Sequence, residues 1–402
     1  MNSYVKASSQ RSDVAKAKNS LLSAAFKENC RKVLSNGLYY SGLLRLINRF
    51  ERSREMHAGF NSRLPRMRRS TASKFGILCY HRVGTEGVPF HSRLEPEVFE
   101  AQMRYLKKRY RIVPLGQLCQ ELAEAVSVPP TIAITFDDGY RDLYAHAFPV
   151  LRKYEIPATI YLIGHCLETG EAPWYDKIFA SMVTAQGSSL ELQLDTARQF
   201  SFFSEQDRFA AAWDIVCYLR SITDTARQQW CADFERRMRL PMGLLEGRML
   251  DWNQIRTMHR NGISFGAHTM SHPSVGRLEP AAFPYEFSHC KKLLESGLDA
   301  SVDDFAYPFG KPTDGNEAAQ DFIGRVKYRS AVTTMEGFNS PGDNHYLLRR
   351  QQVGENRSLP KFALDVSRLF FVATPKDSTT WVALSAHFDM RPNSNRVLAQ
   401  RH

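Results

Sequence analysis

From residue 75 onward, hydrophobic and polar positions follow two alternating rhythms. Short apolar runs, often β-branched, occur at Ile77–Tyr80, Ile112–Val113, Thr131–Phe136, Ala158–Ile163, Ile263–Ala267 and Phe305–Tyr307, and again near 328–333 and 347–353. Runs this short and this continuous predict strands of a parallel sheet buried on both faces. Between them, apolar residues return every three or four positions. Pro96 opens one such stretch, with Phe99, Met103, Leu106 and Tyr110 recurring along it; proline is well placed in a helix's first turn. Leu115–Ala125, Arg141–Tyr154, 174–183, Asp251–Asn261, 279–297 and 316–323 also predict helices. Repeated strand–helix units suggest a barrel or a doubly wound sheet, and a count of about seven or eight favours an irregular (β/α)7-8 barrel of the α/β class.

The alternation breaks once, at about 185–248. Leu190–Leu194 alternates weakly, as an edge strand would, and 204–240 reads as helical with Phe209, Trp213, Val216 and Leu219 on one face. This is a mainly helical insertion in a barrel spanning 75–373. Residues 374–402 are a polar tail.

Residues 1–74 differ in character. They carry 16 Lys and Arg against 4 Asp and Glu, whereas 75–402 carry 37 against 38. The net charge of +11 is therefore a property of a basic N-terminal arm, which argues against the body as a nucleic-acid binder. Tyr39, Leu43, Leu46, Ile47 and Phe50 recur at helical spacing, with Arg45, Arg49 and Arg52 on another face. Such a helix either lies on an anionic membrane or packs on the body, so residues 38–69 are a candidate peripheral membrane contact. No stretch reaches the roughly 20 apolar residues of a membrane span, and no secretory leader is evident. Seven cysteines without a CxxC pair read as free thiols. The expectation is a cytoplasmic protein, with possible attachment at the inner face of the membrane.

Chemistry gathers where the predicted strands end. Asp137, Asp138 and Gly139 follow Thr131–Phe136; His81 follows Ile77–Tyr80; His268 and His272 follow Ile263–Ala267; Pro308 and Gly310 follow Phe305–Tyr307. A barrel brings such ends to one face. One carboxylate there caps the next helix or does chemistry; two together need a further partner, such as a metal or a cation. His268 and His272 are either surface histidines or ligands one helical turn apart. With one Asp they make the three-ligand set of a catalytic zinc site, and a second carboxylate beside it suits a general base.

TFDDG at 135–139, HTMSH at 268–272 and YPFG at 307–310 together resemble the motifs of the polysaccharide deacetylases, carbohydrate esterase family 4, over about Phe75–Val353. The Tyr80-His81 pair resembles the subset with an N-terminal YH strand. The resemblance implies an irregular barrel and metal-dependent removal of N- or O-acetyl groups from a polysaccharide or oligosaccharide, such as an N-acetylhexosamine exopolysaccharide. By motif position it implies Asp137 as general base and Asp138, His268 and His272 as ligands of a divalent metal, with Zn2+ the expected ion. His81 is then the candidate acid, and the Tyr140 N–H the candidate oxyanion donor. Pro308 and Gly310 join the substrate-binding candidates with their motif. Trp174 and Asp176 are candidates to line a sugar groove. Asp251-Trp252 resembles an Asp-Trp motif of some members, with an ordinary helix start as the alternative. One departure stands out: the arginine that steadies the base is replaced by Ala306. Either another residue, such as Arg141, supplies the charge, or the base is tuned differently. That departure keeps open a glycan-binding protein without catalysis. A third reading is an amidohydrolase acting on a small cyclic or formyl amide.

Overall fold

The computed structural model describes, apart from Asn36, residues 75–85, 93–126, 128–238, 243–354 and 358–371. The predicted arm helix, the membrane-contact candidate 38–69 and the tail 374–402 lie outside the described residues. Two compact units divide the chain: Met1–Arg69 with Arg357–Val372, and Ser70–Asn356 with Ala373–His402. The first contains a helix at Leu359–Phe371 with Phe362 and Val366 buried one turn apart. No described helix is long and apolar enough to cross a membrane.

The second unit is a curled parallel sheet with helices around it. Its elements run β1 (Phe75–Tyr80), β2 (Arg82–Val83), β3 (Arg93–Leu94), α1 (Pro96–Lys107), β4 (Arg111–Ile112), α2 (Leu115–Ala123) and β5 (Thr131–Phe136). A π-turn at Leu143–Ala147 leads into α3 (Phe148–Lys153), then β6 (Ala158–Leu162), α4 (Gly164–Thr169) and α5 (Trp174–Thr184). After the insertion come α8 (Trp252–Arg260), β9 (Ile263–Ala267), a π-turn at Pro284–His289, α9 (Cys290–Leu298), β10 (Asp304–Ala306), α10 (Glu317–Arg325), β11 (Ser330–Val332) and β12 (Gln351–Gln352). The main sheet runs β11-β10-β9-β6-β5-β1-β12, with β4 pairing the start of β5. Val332 at one edge forms a parallel bridge with Leu348, just ahead of β12 at the other. The sheet thus curls until both edges meet one stretch of chain, and the predicted seven- to eight-stranded barrel is the fold observed.

β1 and β5 are buried along their whole length, as expected when one face meets the barrel interior and the other its helices. Their register pairs Tyr80 with Phe136, so His81 and Asp137 leave the sheet at the same level. In β9, Gly266 is confined by contact: a Cβ there would come within 2.5 Å of the Tyr161 ring and 2.8 Å of the Asp304 carbonyl. Gly266→Ala is expected to destabilise the fold by about 1–3 kcal/mol through overpacking. The check is a lower urea midpoint at unchanged slope, and a change below about 0.5 kcal/mol contradicts the tight contact.

The insertion holds a hairpin, β7 (Ser189–Gln193) with β8 (Ala197–Ser201), and two helices, α6 (Glu205–Leu219) and α7 (Asp224–Met238). Leu190–Leu194 is thus one arm of a separate two-stranded sheet and not an edge of the barrel. Ile215, Val216 and Leu219 of α6 share a core with Tyr175, Ile178 and Phe179 of α5. The insertion is built onto the barrel through α5.

Candidate active site

Asp137 and Asp138 are consecutive but serve different surroundings. Asp138 has φ +73° and Gly139 φ +79°, and the Gly139 N–H turns back onto the Asp137 carbonyl at 3.0 Å. This tight reversal sends the two carboxylates in different directions.

Asp138 faces the histidines. Its Oδ1 lies 3.5 Å from His268 Nε2 and 3.4 Å from His272 Nε2, and all three side chains are buried. His268 Nδ1 is 2.8 Å from the Ala306 carbonyl. A carbonyl only accepts, so Nδ1 carries the proton and the Nε2 lone pair points toward Asp138. Burial pushes His268 down to about 4, against the raising influence of Asp137 and Asp138, so it is neutral near pH 7. One carboxylate and two imidazoles, with their ligand atoms within 4.8 Å of one another, are a donor set that fits a divalent cation. The carbonyl that fixes the His268 tautomer is the outer partner such ligands need.

Asp137 faces an arginine that the sequence reading did not single out. Arg350 Nη1 donates to Asp137 Oδ1 and Nη2 to Oδ2, both at 2.7 Å. Arg350 also reaches the Thr333 carbonyl through Nε at 2.8 Å and Thr135 Oγ1 at 3.2 Å. Burial raises the Asp137 carboxyl, but the Arg350 charge and its hydrogen bonds outweigh this and hold it at about 2. The charge missing at Ala306 is therefore supplied by Arg350. Arg141, the candidate named from the sequence, is exposed and instead donates to the Gly247 carbonyl at 3.4 Å.

His81 sits beside Asp137. Cys79, His81 and Asp137 bring their ligand-capable atoms within 4.8 Å of one another, and the Cys79 thiol donates to Asp137 Oδ2 at 3.4 Å. This second group is poorly suited to a cation. Arg350 already occupies both oxygens of Asp137, and burial pushes the Cys79 thiol well above its usual range, so no thiolate is offered.

The remaining candidates support these groups. Tyr140 bridges to Met249, with bonds from Arg141 N to Arg248 O and from Leu250 N to Gly139 O. In that pattern the Tyr140 N–H points away from Met249. Its hydroxyl donates to Asp176 Oδ2 at 3.1 Å, and burial pushes Asp176 up to about 7. Trp174 is buried and donates from Nε1 to the His272 carbonyl at 3.1 Å. Trp174 and Asp176 were expected to line a sugar groove; instead both are buried, bracing His272 and Tyr140. Pro308 is buried, its carbonyl accepting from Gly310 N at 2.7 Å. That turn sets the Phe309 ring edge-on to His272 at 4.8 Å. Trp252 covers Gly297 of α9, and Asp251 makes a reciprocal cap with Gln254, so this pair is placed as a helix start.

Comparison with known proteins follows the same lines. A family model described as polysaccharide deacetylase matches residues 126–325. The chain is 22% identical over 288 residues to YxkH of Bacillus subtilis (strain 168), whose name assigns it provisionally to the polysaccharide deacetylases; the match covers 71% of this chain and 74% of that protein. It is 24% identical over 193 residues to the poly-beta-1,6-N-acetyl-D-glucosamine N-deacetylase of Staphylococcus epidermidis, covering 46% of this chain and 63% of that protein. In structure it is similar to the Streptococcus pyogenes deacetylase PplD in complex with acetate, with a TM-score of 0.51 and 21% identity over 74% of this chain and 99% of that one. At that identity the structural likeness is one of fold.

Proposed function

We propose, from the premise that residues 126–325 belong to the polysaccharide deacetylase family, that this chain is a divalent-metal-dependent hydrolase removing N-acetyl groups, or O-acetyl groups, from a glycan. The observation that carries the reading is the separation of two neighbouring carboxylates. Asp138 joins two imidazoles at 3.5 and 3.4 Å, while Asp137 is held ionised by Arg350 at 2.7 Å. The name of the Staphylococcus epidermidis relative supports an N-acetylglucosamine polymer as the first substrate to test.

Asp138, His268 and His272 would hold the cation, with Zn2+ the best match to this donor set. When bound, a divalent cation supplies Lewis acidity toward the acyl oxygen and lowers the pKa of a water to about 7. The chain's own residues do the rest. Asp137 accepts the proton of the attacking water; Arg350 takes one lone pair on each of its oxygens, and the Cys79 thiol takes a second on Oδ2, so Oδ1 is the oxygen assigned to that proton. The water oxygen adds to the acyl carbon, and the Tyr140 N–H donates to the oxygen that becomes negative. As the C–N bond breaks, His81 gives a proton to the departing nitrogen. Acetic acid and a free amine leave, the acid giving its proton to the amine or to solvent, and the proton on Asp137 returns to His81.

A glycan-binding protein without catalysis rested on the absent arginine, and Arg350 removes that support. With Zn2+ or Co2+ present, the purified chain is expected to release acetate from chito-oligosaccharide or a β-1,6-linked N-acetylglucosamine oligomer. Chelation should stop release and added metal restore it. Release unaffected by exhaustive chelation would contradict the proposed role of the three ligands.

A further inference from the structure

We propose that the helical insertion is part of the support for the metal-ligand loop, with Arg227 of α7 acting as a positioning residue for His272 through the Ser271 hydroxyl. The proposal rests on the reading of Asp138, His268 and His272 as a metal centre.

His268 needs little help, because it leaves β9 with its N–H on the Leu162 carbonyl at 2.9 Å. His272 lies beyond a loop in which Thr269 has φ +63° and His272 itself φ +54°. Side-chain-bearing residues rarely adopt this region, so surrounding contacts must hold the shape. Glu286 of the barrel supplies one set: its Oε2 accepts from Met270 N at 2.9 Å and Ser271 N at 3.0 Å, and its Oε1 from the Ser271 hydroxyl at 2.8 Å. That hydroxyl has one proton, and Glu286 takes it. Its oxygen then accepts from Arg227 Nη2 at 3.2 Å.

Arg227 is 3% exposed and Glu286 1%. Arg227 is neutralised by Asp224, with Nε and Nη2 at 2.9 and 2.5 Å from Oδ1, and its guanidinium lies 5.0 Å over the Trp174 ring. Trp174 in turn donates to the His272 carbonyl. The insertion therefore grips the middle of the loop through Ser271, while α5 of the barrel holds its end. An insertion that merely packed on the barrel would meet this loop with apolar side chains. A buried ion pair costs more than apolar contact unless its direction is used, and here it is aimed at one hydroxyl of the ligand loop.

The test is Co2+ titration of the full chain, followed by the visible absorption of the bound ion, with thermal melts alongside. Ser271→Ala and Arg227→Met are each expected to weaken Co2+ binding about tenfold, the scale for losing an outer partner of a ligand, and to alter the Co2+ spectrum. Ser271→Thr, which keeps the hydroxyl, should restore most of the affinity. Because both changes act through one oxygen, the double variant should be within about twofold of Ser271→Ala alone. Variants that bind Co2+ as the parent does, or losses that add in full, overturn the proposal. Should Arg227→Met not fold, the Ser271 pair decides by itself. A parent chain that takes up no Co2+ overturns the metal-centre reading and this one together; a parent that binds beside unaffected variants overturns this one alone.

Discussion

Arg350→Met is expected to lower kcat by about a thousandfold, within the 10²–10⁴ that a general base contributes, while Co2+ binding changes little. Arg350 has no exposed surface and spends its fork on both oxygens of Asp137 at 2.7 Å, with Nε on the Thr333 carbonyl at 2.8 Å. Methionine matches its apolar stem but leaves a buried carboxylate without a countercharge, a change that typically costs about 3–5 kcal/mol. Asp137 relieves part of that cost by taking a proton, and a neutral carboxyl no longer accepts one from water. The proposed metal ligands are untouched because Asp138 points elsewhere. Arg350→Lys should fall between: an ammonium restores the charge but cannot span two oxygens and a carbonyl at once. The measurements are kcat at saturating substrate, Co2+ affinity and the unfolding midpoint. Turnover of Arg350→Met within about tenfold of the parent would remove Asp137 from the role of base.

Most of the barrel is legible from sequence because its strands and helices differ in period. The apolar runs at Thr131–Phe136 and Ala158–Ile163 have few alternatives, and β5 and β6 lie there within a residue. The hairpin β7–β8 is harder. Ser189–Gln193 buries little, and nothing local says whether such a strand joins the barrel or pairs within the insertion.

The site divides in the same manner. Asp137, His81 and His268 each follow a strand directly, with Asp138 next to the first and His272 in the loop after the last, so the rule that chemistry sits at strand ends finds them. Arg350 breaks the rule. It precedes Gln351, which pairs with Leu78 inside the sheet, and reaches the strand ends only through the length of its side chain. In sequence it is one of two adjacent arginines within the strand predicted near 347–353. The usable signal was alternation: Leu348 and Arg350 are buried while Arg349 between them is exposed, so one arginine shares the inward face with a leucine. Glu286 and Arg227 gave less. Each lies on a helix with an unremarkable charge pattern, and their meeting at Ser271 depends on how the insertion folds back. Trp174 and Asp176 were singled out for groove-lining, yet both are buried, because an aromatic or acidic residue after a strand serves a substrate or a neighbouring backbone with equal ease.

Asp137→Asn should abolish measurable acetate release, a loss of at least about a thousandfold, yet keep Co2+ affinity near that of the parent. The amide preserves shape but cannot take the water's proton. It also leaves Arg350 buried opposite a neutral group, so this variant should unfold more readily. Adding Arg350→Met to Asp137→Asn removes the stranded cation, and replacing both members of a buried pair is often close to neutral. The double variant is therefore expected to regain stability over Asp137→Asn while recovering no activity. A purely structural ion pair predicts the opposite, with turnover returning as the fold recovers. Asp138→Asn supplies the contrast: it should lose Co2+ affinity together with turnover, because its oxygen, 3.4–3.5 Å from both imidazoles, belongs to the cation and not to the proton.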